Sequence, residues 1–300
     1  MLNATAAATL PQLSPRHNAM LAEMGVPVWW HLPTTEAPAT APAPAIRGVA
    51  PYLHDRAMGQ SQTVPAPAPA TGVRPPAPAV PMARAPAPVA IPLVPVSDVS
   101  GLDWPALQQA IAQCQACALG TQRRQAVPGM GDTQPDWLIV GEAPGEEEDR
   151  QGLPFVGRSG QLLDKMLRAM GLSRTQGVYI ANVIKCRPPL NRNPEPQEVA
   201  QCSPYLLRQI ALLRPKIVLT MGRFAAQAVL GQGGCYAAEA LHRLPLGQLR
   251  GRIYQAQLGA LNLPVVATYH PAYLLRSPAE KAKAWADLCL AMEVYAQQGR

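Results

Sequence analysis

The sequence predicts an α/β protein: three α/β/α layers around a central, mainly parallel four-stranded sheet, preceded by a disordered Pro/Ala-rich region. Three observations predict it. Four short apolar runs, at 137–141, 178–183, 216–221 and 264–269, are separated by segments of helical length and period. The runs are mostly apolar with no alternation of polar and apolar residues, as strands buried on both faces require. Composition also changes abruptly near residue 100.

Residues 1–100 carry 19 of the 34 prolines and no lysine, with Ala-Pro-Ala-Pro repeats at 41–44, 66–69 and 85–88. Proline removes backbone donors and alanine buries little area, so such a segment does not offset the entropy of ordering. Residues 36–100 are therefore expected to form a disordered, extended linker. Residues 1–35 are less monotonous: a short helix is expected at 16–25, followed by Val28-Trp29-Trp30. That pattern suits either a docking motif for a protein partner or a minor element packed on the main domain.

Residues 101–300 read as one catalytic domain. A helix from Asp103 to Gln113 delivers Cys114, and the strand 137–141 leads through a Gly/Pro loop to a helix at 159–170. The strand 178–183, a Pro/Asn-rich loop and a helix at 196–213 follow. Then come the strand 216–221, a helix at 223–230, a less regular stretch at 232–260, the strand 264–269 and a closing amphipathic helix at 278–297. Alternation of this kind gives a parallel sheet, whose ligands sit at the carboxyl ends of the strands. Chemistry is expected in the loops after 140, 182, 221 and 269.

The formal charge of +7 falls almost wholly on this domain, which has 21 Lys and Arg against 15 Asp and Glu. Sixteen of the 21 are arginine, suited to bidentate phosphate contacts, so a polyanionic partner is expected. No apolar run reaches 18 residues, which argues against a membrane span, and the N-terminus lacks the pattern of a secretory signal. A cytoplasmic, nucleoid-associated location is expected, where six cysteines serve as thiols or metal ligands.

Cys114-x2-Cys117 and Cys186-x15-Cys202 form two pairs in distant segments that can close one tetrahedral thiolate site, for zinc or for an iron-sulfur cluster. Cys235 and Cys289 lack a partner at ligand spacing. After the first strand, Glu142 to Asp149 hold five acidic groups, and small residues beside them let backbone approach a ligand. Phe155 lies in a glycine-rich loop, placed to stack on a planar ring or to anchor the loop to the core. Asn182 interrupts an apolar strand near its end, where its amide offers one acceptor and one donor to a ligand edge, or caps the strand. His270 follows the last strand, at the same sheet edge as Glu142 and Asn182.

These residues carry a resemblance. Gly141-Glu142-Ala143-Pro144-Gly145 with the acidic run, Pro154-Phe155-Val156-Gly157, Asn182 with Lys185-Cys186-Arg187-Pro188-Pro189, His270-Pro271-Ala272-Tyr273-Leu274-Leu275-Arg276 and the four cysteines together resemble the family 4, iron-sulfur uracil-DNA glycosylases over about 110–297. The resemblance implies a structural 4Fe-4S cluster on Cys114, Cys117, Cys186 and Cys202. It implies a monomer acting on uracil in single- or double-stranded DNA. Phe155 would stack on a flipped uracil, Asn182 would read its edge, the backbone at Glu142 and Ala143 would contact it, and His270 would hydrogen-bond O2 as charge develops. Glu142 would orient the attacking water, with Glu148 as second choice or as a bulk against the thymine methyl. Leu274, Leu275 and Arg276 would form a wedge entering the duplex. No histidine lies in 188–194, so ordinary turnover is expected over covalent trapping. The same residues also suit two other readings: a glycosylase for another deaminated base, and a catalytically weak DNA-binding or partner-recruiting protein.

Overall fold

The structure, a computed structural model, describes residues 98–298. The expected docking motif and residues 36–97 of the expected linker lie outside the described residues; the linker's bound at 100 needs correction, because Val99 is 4% exposed and packs in the core. Asp103 caps the first helix, α1 (Trp104–Gln113), by accepting from the Ala106 N–H, and Pro105 sits in its first turn, where a missing N–H costs nothing. The short α2 (Ala118–Gln122) follows the Cys114 and Cys117 segment.

Six strands form one sheet. β1 (Met130–Gly131), β2 (Trp137–Gly141), β3 (Val178–Asn182), β4 (Ile217–Met221), β5 (Ile253–Leu258) and β6 (Leu261–Thr268) lie in the order β1-β3-β2-β4-β6-β5. The inner four are parallel and correspond to the four apolar runs; β1 and β5 are antiparallel edges. The expected four-stranded sheet is thus the centre of a six-stranded one. β1 is two residues long, and β5 has the alternating exposure of a one-sided edge strand.

Alternate residues feed the two faces. Leu138, Val140, Tyr179, Ala181, Val218 and Val265 share one core with α1, α5 (Pro196–Leu213) and α6 (Arg223–Gln232). Trp137, Ile139, Val178, Ile180, Leu219 and Val266 share the other with α4 (Arg158–Ala169) and α10 (Lys281–Gln298). That is the three-layer arrangement. Short helices α3 (Glu146–Gln151), α7 (Ala238–Arg243), α8 (Leu246–Leu249) and α9 (Pro271–Arg276) occupy the connections. Among the described residues no helix is long and apolar enough to cross a membrane.

Candidate active site and thiol cavity

The loops leaving the carboxyl edge of the sheet meet round a cavity of about 410 Å3. Register places them: Gly141, which ends β2, pairs with Asn182, which ends β3, and His270 follows β6 by two residues. The sheet order turns at β2, whose neighbours β3 and β4 lie on opposite sides, the usual place for a ligand crevice in open α/β sheets. Glu142, Ala143, Glu148, Phe155, Asn182, His270, Tyr273 and Arg276 all line this cavity.

Asn182 is 2% exposed, and its Oδ1 is buried with no hydrogen-bond partner among the described residues. An open buried acceptor costs roughly 1–3 kcal/mol, so the amide is set for a donor brought by a ligand. Gly141 makes this placement possible: a Cβ there would lie 2.2 Å from Asn182 Oδ1 and 2.7 Å from the Phe155 ring.

His270 caps α9, its Nδ1 accepting from the Ala272 N–H at 3.1 Å. Burial, helped by the Arg276 charge, pushes its pKa down to about 4. At neutral pH the ring is uncharged, and with Nδ1 already an acceptor its proton sits on Nε2 as a donor. Burial pushes Glu142 the other way, up to about 7, with Arg223 opposing the shift. The site therefore holds a neutral imidazole donor and a carboxylate poised near neutral pH.

Phe155 meets the anchoring expectation. Its ring stacks on His270, with centroids 5.4 Å apart and planes at 27°, and it also packs into the core below α4. Its backbone is left-handed, at φ +53. Arg174 holds it there, donating to the carbonyls of Pro154 (3.0 Å), Phe155 (2.6 Å) and Gly160 (3.1 Å) while pairing with Asp164. Gly160 has to be glycine, since a Cβ would sit 1.7 Å from the Phe155 oxygen.

One expectation needs correction, and one residue carries an unexpected task. The Glu148 carboxylate accepts from the backbone N–H groups of Gly145 (3.1 Å), Val156 (2.9 Å) and Gly157 (3.2 Å), lacing two loops together at the cavity wall. Leu274 is fully buried in the core, so it does not enter a duplex. Successive residues on a helix point about 100° apart, so Leu275, 39% exposed, and Arg276 face outward from the same turn. Sequence reasoning assigned no role to Tyr273, which lines the cavity, or to Arg174. Tyr273 was visible as part of a motif, but Arg174 belongs to no local pattern.

Cys114, Cys117, Cys186 and Cys202 line a second, small cavity, which Cys235 and Cys289 do not. Burial pushes the Cys186 thiol up to about 11 and the Cys202 thiol up to about 12, with neighbouring thiols adding to both shifts; Cys117 is also raised. Arg123 donates to Cys186 Sγ at 2.8 Å, and the Lys185 backbone N–H to Cys202 Sγ at 3.4 Å. Four soft donors with N–H groups already aimed at sulfur fit a thiolate-bound metal centre. Lys185 links the two cavities. Its buried Nζ donates at 2.7 Å to the Asn182 carbonyl and to Gln209 Oε1.

Residues 128–289 match the family model of the uracil DNA glycosylase superfamily. The chain is 40% identical over 189 residues to a type-4 uracil-DNA glycosylase of Pyrobaculum aerophilum, covering 63% of this chain and 93% of the relative. It is 41% identical to the type-4 enzyme of Archaeoglobus fulgidus, covering 56% and 81%, and 39% identical to that of Thermotoga maritima, covering 57% and 82%.

Proposed function

The chain belongs to the uracil DNA glycosylase superfamily, alongside its type-4 members, and on that premise we propose that it flips uracil out of DNA and hydrolyses the N-glycosidic bond. The products are free uracil and an abasic site. The observation that carries this reading is the open Asn182 Oδ1 beside a neutral His270 and the Phe155 ring in one cavity.

Uracil brings the N3–H donor that Asn182 Oδ1 lacks, and its O4 accepts from the Asn182 amide. Cytosine presents an unprotonated N3 and an amino group instead, so both contacts turn repulsive. Extruding the base costs a few kcal/mol of stacking and pairing, regained as it lies against Phe155 and the backbone at Glu142 and Ala143. As the N1–C1′ bond breaks, its electron pair moves into the uracil ring and charge builds on O2. The Nε2–H of His270 is the donor for that oxygen, acting as a preorganised dipole and keeping its proton. Water adds to the oxocarbenium-like C1′, and Glu142, ionised above about pH 7, accepts the proton it sheds. Leu275 and Arg276, at the rim, fill the gap left in the duplex.

The four cysteines would hold a 4Fe-4S cluster. Their side chains line one cavity, and two of the sulfurs already accept N–H bonds, from Arg123 and from the Lys185 backbone, which supports a thiolate-bound centre; the preference for a cluster over zinc rests on the likeness to type-4 enzymes. Such a cluster supplies structural crosslinking of α1, the β3 loop and α5.

The test is incubation of the protein with a uracil-containing oligonucleotide followed by alkaline cleavage. Strand scission that is absent from a cytosine control and is suppressed by Asn182→Ala is expected. Equal scission by Asn182→Ala and the unvaried chain would sink the reading.

A further inference from the structure

Leu190 is the most exposed large apolar side chain among the described residues, at 96%. It sits on the loop at 188–193, whose Pro188, Asn191, Arg192 and Asn193 line the cavity together with Tyr273 and Arg276 of α9. The loop and the helix thus contribute to one rim. Leu153, Tyr273 and Leu275, three of the four other exposed large apolar side chains, belong to segments that reach this cavity.

Folding does not ask for a leucine at 190. Its backbone is left-handed, at φ +54, where glycine carries no strain, and Asn191 follows at φ +54. A side chain that buries nothing, on backbone that disfavours it, points to a role outside the folded chain. The loop is also stiff. Arg192 makes a two-pronged contact with Glu198, at 2.9 and 2.6 Å, and Arg187 donates to Asn191 Oδ1 at 2.8 Å while pairing with Glu146 at 3.4 Å. Turn bonds from Asn191 N–H to Pro188 O and from Arg192 N–H to Pro189 O close it.

We propose that Leu190 is a second wedge, inserted into the duplex base stack as Leu275 and Arg276 fill the vacated space. Rigid presentation is what such a role needs, because an apolar probe on a floppy loop would lose on ordering what it gains on insertion. The proposal rests on the uracil-excising reading of the pocket, and it adds a residue that favours duplex over single-stranded substrate.

The test compares the full chain with Leu190→Gly, Leu190→Ala and Leu190→Met on uracil in a duplex and in the same strand alone. Glycine relieves the left-handed strain, so loss of fold does not explain its behaviour. The ratio of duplex to single-strand excision is expected to fall about tenfold in the glycine and alanine variants and to recover in the methionine variant. A 2-aminopurine placed beside the uracil is expected to brighten less on binding when residue 190 is truncated. A ratio within twofold of the unvaried chain, or an equal loss on both substrates, overturns the wedge. Failure of the unvaried chain to release uracil at all removes the underlying function with it, whereas release indifferent to residue 190 removes this proposal alone.

Discussion

The ligand cavity and the thiol cavity hang on the same loop, with Asn182 and Cys186 four residues apart, yet burial has different uses in them. In the ligand cavity it tunes single groups: His270 is kept neutral, Glu142 is lifted to about 7, and each remains usable by a substrate. In the thiol cavity it raises the sulfurs together, Cys186 to about 11 and Cys202 to about 12, which leaves them inert as nucleophiles unless a cationic centre draws off their protons. The same desolvation that readies one site makes the other dependent on what it binds.

The sharpest break in this contrast comes from Asn182→Ala. Uracil release is expected to fall about a thousandfold with the thermal midpoint little changed, checked by single-turnover rates and calorimetry. Comparable unfolding would mean that the amide is structural after all. Glu142→Gln comes next, at about a hundredfold. Its pH profile sharpens the point: in the unvaried chain the rate should rise through about pH 7 as the carboxylate ionises, and His270, neutral above about pH 4, adds no limb there. The glutamine variant should lose that rise.

Cys202→Ser should act on the other side of the comparison. The visible absorbance expected of the proposed cluster should vanish and the midpoint drop by at least about 5 °C, corresponding to about 2 kcal/mol in a domain of this size, with activity lost in step with folded protein. A variant that keeps its midpoint would show that the thiols brace nothing. Gly141→Ala is a smaller perturbation: the Cβ must push Asn182 and Phe155 aside, costing about 1–3 kcal/mol and roughly tenfold in rate. The smallest effect is again at Glu142. Between its ordinary value near 4.5 and about 7 the folded chain holds a proton that the unfolded chain has lost, so stability falls as pH rises through that window. Glu142→Gln should therefore melt slightly higher than the unvaried chain at pH 8, and equally at pH 4.

The central sheet was legible because four apolar runs have no other way to satisfy burial on both faces, and the strand ends then located Glu142, Asn182 and His270. The edges were not. Met130–Gly131 is too short to show a period, and Ile253–Leu258 is too exposed to show an apolar run. Within the acidic run, Glu148 looks like its neighbours; only the folded loops reveal three backbone N–H groups converging on it. Leu274 and Leu275 differ by helix phase alone, which a six-residue helix does not announce in sequence. Arg174 acts on a loop almost twenty residues earlier, through carbonyls that any residue supplies.

Lys185 has a consequence for how this chain tolerates change in length. It spans the interval from the Asn182 carbonyl to Gln209, while its own N–H meets Cys202. One residue inserted or deleted between 182 and 186 would put the Asn182 amide and Cys186 out of phase at once. Engineers seeking a site for a tag or a graft should leave this stretch alone and look to the surface turn at Gly259, which serves neither centre.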